Sequence, residues 1–260
     1  MPRYFIEVAY KGTNYSGFQI QKNASSIQSE IEKALNIFFR SINPTSVLVE
    51  KGKEIRLTGA SRTDAGVHAK QNFFHFDIEP GIYSSSHVYN LNAILPDDIA
   101  IKNIFPVADT AHCRFDAVSR EYKYFIYWKK NPFLRDRAYY YPFKINREDL
   151  SAAADIIKNY EDFTSFSKRN SQVKNFLCII EKSCWIFKDE TIIYNVTGNR
   201  FLRGMVRGLV GTMLQVATGK ISLKSLRNII ECRNSANANF SVPSHGLFLI
   251  GIKYNENVFV

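Results

Sequence analysis

The chain has 260 residues, of which 45% are hydrophobic and 22% are charged, so it can bury a substantial core and is too apolar to be disordered. Its 34 Lys and Arg against 24 Asp and Glu give a formal charge of +10, which favours a polyanionic partner such as nucleic acid. The four cysteines form no C-x-x-C pair, and no apolar run approaches the ~20 residues of a membrane span, which argues against zinc ribbons, redox dithiols and membrane proteins.

The first part of the chain alternates between strand and helix patterns. Residues 4–10 have the two-residue period of a strand and follow no basic and apolar signal segment, so we expect a cytoplasmic protein. A Ser25–Gln28 capping box then precedes apolar residues at three- and four-residue spacing, which predicts a helix. Further strands are predicted at 46–50, 54–60, 71–78 and 99–107, with a short helix near 87–94.

The second part repeats that order of elements. Strands are predicted at 119–128, 176–187, 190–198 and 246–254, and helices at 147–159, 200–218 and 223–232. The order strand, helix, strand, strand, helix, strand, found twice, is that of the split β-α-β unit of ferredoxin-like folds, whose sheets are largely antiparallel with helices on one face. We therefore predict an α+β protein with two such halves, an N-terminal domain over 1–110 and a basic C-terminal domain over 111–260.

The most unusual stretch is 57–68, where small residues flank Arg62 and Asp64. Small residues let the backbone turn sharply and let a bulky ligand approach it. A carboxylate in such a loop can be a nucleophile, a base or a metal ligand, and its usual structural role is to cap a backbone amide or pair with an arginine. No second carboxylate lies nearby in the sequence, so any chemistry would centre on Asp64 alone.

Two further patterns are compatible with RNA binding. Aromatic residues on one face of the strand at 119–128 form either a stacking platform for unpaired bases or part of the core. Arginines three to four residues apart on the helix at 200–218 can grip phosphates, neutralise a buried carboxylate or line a solvated face. The two sets are Tyr122, Tyr124, Ile126 and Trp128, and Arg200, Arg203 and Arg207. The five histidines show no metal-ligand spacing, so no metal site is predicted.

Residues 61–68 closely resemble the Arg-Thr-Asp-Ala-Gly-Val-His signature of the TruA family of tRNA pseudouridine synthases. Several linked motifs in one order are far more specific than any one of them. The other landmarks of that family follow across nearly the whole chain, at 10–12, 17–19, 95–96, 114–115, 120–124, 162–166, 201–207 and 246–247.

The resemblance implies an isomerase that converts uridine to pseudouridine in the anticodon stem-loop of tRNA, at positions 38, 39 and 40. It implies no cofactor, no metal and a homodimer. Asp64 matches the catalytic aspartate, which attacks either C6 of the base or C1′ of the sugar, and Arg207 matches the basic residue that pairs with it. Such a pairing has a physical reason, because a pocket that excludes water disfavours an ionised carboxylate unless a cation stabilises it.

The resemblance also implies roles for residues that hold the substrate. Tyr122 matches the residue that stacks on the target uracil, and Leu247 matches an apolar wall of the pocket. We assign two roles to Arg62: its side chain fills the space that the flipped nucleotide leaves, and it binds the phosphate of that nucleotide. Arg203 is expected to bind the substrate as well.

Departures from the usual residues of the family remove no catalytic group. They are Phe18, Ile20, Ser61 and the pair at 71–72. Two alternatives stay open: a non-catalytic RNA-binding module, which twin ferredoxin-like units with sheet-face aromatics would also suit, and a pseudouridine synthase acting on a different RNA uridine. An acid facing RNA phosphates favours an enzyme, because a pure binder gains nothing from like-charge repulsion.

Overall fold

A computed structural model of the chain describes residues 1–42, 54–79, 84, 86–168, 173 and 175–259. The predicted strand at 46–50 lies outside them. The chain forms two compact units, one made of Met1–Val118 with Gly251–Val260 and the other of Ser119–Ile250. Among the described helices, none is long and apolar enough to cross a membrane.

The first unit is a split β-α-β arrangement. Its strand order is β4-β1-β3-β2, and β1 is antiparallel to both β3 and β4, as β2 is to β3. The helix α1 buries the predicted apolar stripe, which includes Ile31 and Leu35 at 0% exposure. The elements are β1 (Arg3–Tyr10), α1 (Ile27–Ile42), β2 (Thr58–Gly59), β3 (His68–Asp77), α2 (His87–Ile94) and β4 (Ile99–Val107).

The start of α1 differs from the predicted capping box. The reciprocal hydrogen bonds are made by Ser26 and Ser29, since the Ser29 main-chain N–H donates to Ser26 Oγ at 3.2 Å and the Ser26 N–H donates to Ser29 Oγ at 3.1 Å. The Gln28 side chain turns away and donates to the carbonyl of Leu57 at 2.9 Å. The capping box therefore lies one residue later than the sequence indicated.

The predicted domain boundaries, 1–110 and 111–260, differ from this division at both ends of the second domain. The connection after β4 stays in the first unit, and the last ten residues return to it. The main-chain N–H of Ile252 donates to Gln71 Oε1 at 3.2 Å, and the hydroxyl of Tyr254 donates to the carbonyl of Cys113. These are contacts between residues distant in sequence, which periodicity cannot reveal.

The second unit has the same arrangement. Its strand order is β9-β5-β8-β7, in which residues 247–250 of β9 belong to this unit, and β8 is antiparallel to both β5 and β7. The α+β class predicted from the order of elements is therefore confirmed. A two-residue strand, β6, was not predicted and pairs in parallel with the end of β5. The elements are β5 (Ala117–Tyr127), β6 (Tyr139–Tyr140), α3 (Arg147–Ile157), β7 (Ile180–Phe187), β8 (Thr191–Gly198), α4 (Met205–Ala217), α5 (Leu223–Glu231) and β9 (Leu247–Tyr254).

Candidate functional site

The loop that carries Asp64 connects β2 to β3 in the first unit. It starts where the main-chain N–H of Ala60 donates to the carbonyl of Phe73 at 2.8 Å. It ends in a tight turn, in which the N–H of Val67 donates to the main-chain carbonyl of Asp64 at 3.1 Å. Gly66 occupies the third position of this turn with φ +76°, a conformation that glycine adopts without steric cost. The Ala-Gly of the motif therefore turns the chain directly after Asp64.

Hydrogen bonds hold the backbone of the loop on both sides of Arg62. The main-chain carbonyl of Thr63 accepts from the N–H of Phe18 at 3.0 Å. The Thr63 hydroxyl forms a hydrogen bond with the hydroxyl of Tyr10 at 2.8 Å. The carbonyl of Ser61 accepts from Asn72 Nδ2 at 3.0 Å. Asn72, a departure from the usual family residue, therefore supports the loop that carries Asp64.

These anchors decide which side chains the loop presents. Ser61 and Thr63 are buried, whereas Arg62 is exposed and Asp64 is half-buried. The two charged groups thus project from a backbone that is fixed by its neighbours. Such a fixed position is what a catalytic group requires, because small displacements of reacting atoms are costly.

Gly17 makes the close approach to this loop possible. It has φ +107°, and a Cβ atom there would lie 2.9 Å from the carbonyl oxygen of Thr63. The next residue, Phe18, is 3% exposed and its ring stacks on Phe74 with the centroids 4.8 Å apart. Phe18 is therefore a core residue of the first unit, which gives this departure from the family a packing reason.

The last histidine of the motif has a structural contact. His68 is 1% exposed, and its Nδ1 accepts a hydrogen bond from the main-chain N–H of Gly12 at 3.2 Å. This bond joins the start of β3 to the segment after β1, so the motifs at 10–12 and 61–68 support each other.

In the second unit, Tyr122 lies on β5 opposite Val196 of β8. Its side chain is 7% exposed, and its ring meets Phe201 edge to face with the centroids 5.1 Å apart. Tyr124 and Ile126, on the same face, are both 0% exposed. Of the two interpretations left open for this aromatic row, Tyr124 and Ile126 therefore support the core.

The prediction that three arginines form a row on one helix is wrong. The helix begins at Met205, because Gly204 adopts a left-handed conformation with φ +75° that a helix cannot contain. Arg200 and Arg203 precede the helix, and Arg203 is exposed. Only Arg207 lies on α4, in its first turn.

The guanidinium of Arg207 is held by the chain that leads to Leu247. Its Nε and Nη2 atoms donate to the carbonyl of Val242 at 2.9 and 2.7 Å. The hydroxyl of Tyr124 donates to the next carbonyl, that of Pro243, at 2.7 Å, and burial raises the pKa of Tyr124, which keeps this donor protonated. Leu247, which is 7% exposed, follows the segment whose carbonyls accept these hydrogen bonds. Arg207 is thus oriented by main-chain acceptors within its own unit.

Comparisons with known proteins agree with the motifs. Residues 6–116 and 160–255 match the family model described as tRNA pseudouridine synthase. This chain belongs to the tRNA pseudouridine synthase family. The isomerase predicted from the sequence is therefore confirmed.

Three relatives of this pseudouridine synthase, each named tRNA pseudouridine synthase A, match it over essentially its full length. The protein of Azobacteroides pseudotrichonymphae is 41% identical over 259 residues, which cover 100% of this chain and 99% of that protein. The protein of Parabacteroides distasonis is 41% identical over 260 residues, with 100% and 98% coverage. The protein of Staphylococcus aureus strain JH1 is 34% identical over 257 residues, with 98% and 92% coverage.

Sequence reasoning missed the residues that hold the site of this pseudouridine synthase in place. Tyr10 and Asn72 anchor the Asp64 loop, and the carbonyls of Val242 and Pro243 fix Arg207 and Tyr124. A main-chain acceptor leaves no mark in the sequence. The only available signal was that Tyr10 and Asn72 lie within or beside the family motifs.

Proposed function

We propose that this tRNA pseudouridine synthase acts on the anticodon stem-loop, at positions 38, 39 and 40, as a cytoplasmic homodimer. Asp64 is the nucleophile and attacks C6 of the uracil or C1′ of the ribose. Attack at C1′ displaces N1 of the uracil, whereas attack at C6 gives an adduct in which the C1′–N1 bond then breaks. The uracil turns while it stays bound, C5 joins C1′, and the bond from Asp64 to the substrate breaks, which regenerates the carboxylate. C5 loses its proton and N1 gains one, so the reaction is an isomerisation that consumes no cofactor.

One observation carries the proposed role of Asp64. The turn after this residue is closed by its main-chain carbonyl, so the turn does not depend on the carboxylate. The amide that this carbonyl accepts from, that of Val67, therefore needs no side-chain cap. A half-buried carboxylate on an anchored backbone is suited to nucleophilic attack.

The neighbouring roles follow the resemblance. Arg62 is exposed next to the nucleophile, which suits a guanidinium that fills the place of a flipped nucleotide and binds its phosphate. Arg203 is exposed as well and binds the tRNA backbone. Tyr122 stacks on the uracil and accepts the C5 proton, Leu247 forms an apolar wall, and Arg207 stabilises the ionised form of the catalytic carboxylate.

Mapping pseudouridine in total tRNA from cells that lack this gene tests the proposed target. Positions 38, 39 and 40 should lose pseudouridine, and a plasmid copy of the gene should restore it. A copy carrying Asp64→Asn should not restore it, whereas Asp97→Asn, which removes an exposed carboxylate of the same unit, should. Loss of pseudouridine at other positions only would contradict the proposed target.

The affinity for tRNA should fall steeply with salt concentration. The formal charge of +10 and the exposed guanidinium groups favour phosphate contacts, which release counterions on binding. We expect at least about a 100-fold weaker Kd at 200 mM than at 50 mM salt, measured by filter binding. Arg203→Gln should reduce the slope of log K against log salt by about one unit. A flat response in the unchanged protein would contradict binding through phosphates.

A further inference from the structure

Two histidines and a cysteine that are distant in sequence meet in the first unit. His75 lies on β3, and His112 and Cys113 lie in the connection after β4. One ligand atom from each residue lies within 4.8 Å of the other two. The Sγ atom of Cys113 is 3.3 Å from Nδ1 of His75, and the two imidazole centroids are 4.7 Å apart. The proposed isomerisation uses none of these groups.

We propose that His75, His112 and Cys113 bind a zinc ion, with a water molecule as the fourth ligand. Two imidazoles and one thiolate are ligands that zinc prefers in proteins. With Zn–N near 2.0 Å and Zn–S near 2.3 Å, a tetrahedral site places its ligand atoms about 3.4–3.6 Å apart. The His75–Cys113 pair, at 3.3 Å, is close to this spacing, and the widest separation in the cluster, up to 4.8 Å, must close by about 1.2–1.4 Å.

The present hydrogen bonds of the two imidazoles are long, and those of all three groups can be exchanged for coordination. Nδ1 of His75 accepts from the N–H of Cys113 at 3.3 Å, and Nδ1 of His112 accepts from the N–H of Arg114 at 3.2 Å. The Cys113 thiol donates to the carbonyl of Thr58 at 3.1 Å. A metal ion would replace the thiol proton and two weak contacts of the imidazoles with three coordinate bonds.

The charges around the cluster match a divalent ion with one thiolate. The guanidinium of Arg3 donates to the carbonyl of Ala111 at 2.9 Å and pairs with Asp77 at 2.7 Å. A carboxylate oxygen of Asp116 accepts from the main-chain N–H of His112 at 2.7 Å. With Cys113 as a thiol, the two carboxylates and the guanidinium of Arg3 leave one negative charge, which the Arg114 guanidinium near His112 balances. A divalent cation bound to the Cys113 thiolate therefore adds one positive charge beside two carboxylates, which limits the electrostatic cost of partial burial.

The ion would join two segments of the first unit. It would tie β3 to the connection after β4, next to the carbonyl of Thr58 in β2. A ligand that binds only the folded state stabilises that state by mass action. The expected consequence is higher thermal stability of the first unit and not a change in the isomerisation chemistry.

Cobalt titration of the full-length protein, purified without a metal-binding tag and stripped with EDTA, tests the site. We expect one Co²⁺ per chain, a sulfur-to-cobalt charge-transfer band in the near ultraviolet, and displacement of that band by Zn²⁺. Cys113→Ser should remove the band and weaken binding by more than about 100-fold. Cys232→Ser, which changes an exposed cysteine of the second unit, should leave the titration unchanged.

Absence of a charge-transfer band in the unchanged protein overturns the proposal, as does Cys113→Ser binding cobalt as tightly as the parent. Circular dichroism of each variant shows whether it folds, and the titration of the parent does not depend on any variant. Zinc should also raise the Tm of the parent by several degrees. Pseudouridine formation below the Tm should be unaffected by EDTA, so a failed metal site leaves the proposed reaction intact.

Discussion

Asp64→Asn should abolish pseudouridine formation while leaving the Kd for tRNA nearly unchanged. The amide keeps the size of the side chain but is not a nucleophile, and the turn closed by the main-chain carbonyl of residue 64 should form as before. We expect the single-turnover rate to fall by more than about 10³-fold. The measurement is the release of tritium from C5 of labelled uridine in tRNA, since C5 loses its hydrogen when it joins C1′.

The matched control is Asp97→Asn, which removes the same charge from an exposed residue of the first unit. Its rate and Kd should both remain close to those of the parent. A rate for Asp64→Asn within tenfold of the parent would remove Asp64 from the mechanism. A loss of tRNA binding of the same size as the loss in rate would instead identify Asp64 as a binding residue.

Tyr122→Phe should lower the rate of tritium release by about 10²–10⁴-fold, the usual contribution of a positioned general acid or base. The ring that meets Phe201 edge to face is retained, so folding and stacking on the base should be preserved. The Kd for tRNA should therefore change little. Tyr122→Ala removes the ring too and should weaken binding in addition.

Tyr127→Phe is the control on the same strand, because Tyr127 is also buried on β5. It should leave both the rate and the affinity near those of the parent. If Tyr122→Phe reacts as fast as the parent, the phenol does not accept the C5 proton and Tyr122 acts through its ring alone.

The order of the elements could be predicted because it depends on local periodicity. The helix predicted near 87–94 and the strand at 99–107 have the bounds of α2 and β4. Once strand, helix, strand, strand, helix, strand is known, few topologies remain, and both units adopt the same strand order. The fold class therefore needed no information on contacts distant in sequence.

Periodicity overestimated the length of one strand, because side chains there form the hydrogen bonds that a neighbouring strand would otherwise form. The strand predicted at 54–60 shortens to Thr58–Gly59, because side chains of α1 bond the residues before it. Asn36 Oδ1 accepts from the N–H of Ile55 at 2.9 Å, and Glu32 Oε1 accepts from the N–H of Leu57 at 2.9 Å. These N–H groups consequently have acceptors on a helix. No sequence pattern indicates that helix side chains take the place of a neighbouring strand as acceptors.

The candidate site likewise contains residues that the sequence indicated and residues that it did not. The motif at 61–68 made Asp64 and Arg62 candidates, because a residue pattern in a fixed local order is visible in the sequence alone. The anchors Tyr10 and Asn72 are distant in sequence from the groups that they hold. The cluster of His75, His112 and Cys113 likewise has no ligand spacing in the sequence, because folding brings β3 against the connection after β4.

We propose that this chain makes pseudouridine in the anticodon stem-loop through Asp64. The most direct measurement incubates the purified protein with an unmodified tRNA transcript that has uridines at positions 38, 39 and 40, and then maps pseudouridine at single-nucleotide resolution. We expect pseudouridine at those positions with the parent protein and none with Asp64→Asn. Pseudouridine elsewhere only, or equal amounts with both proteins, would contradict it.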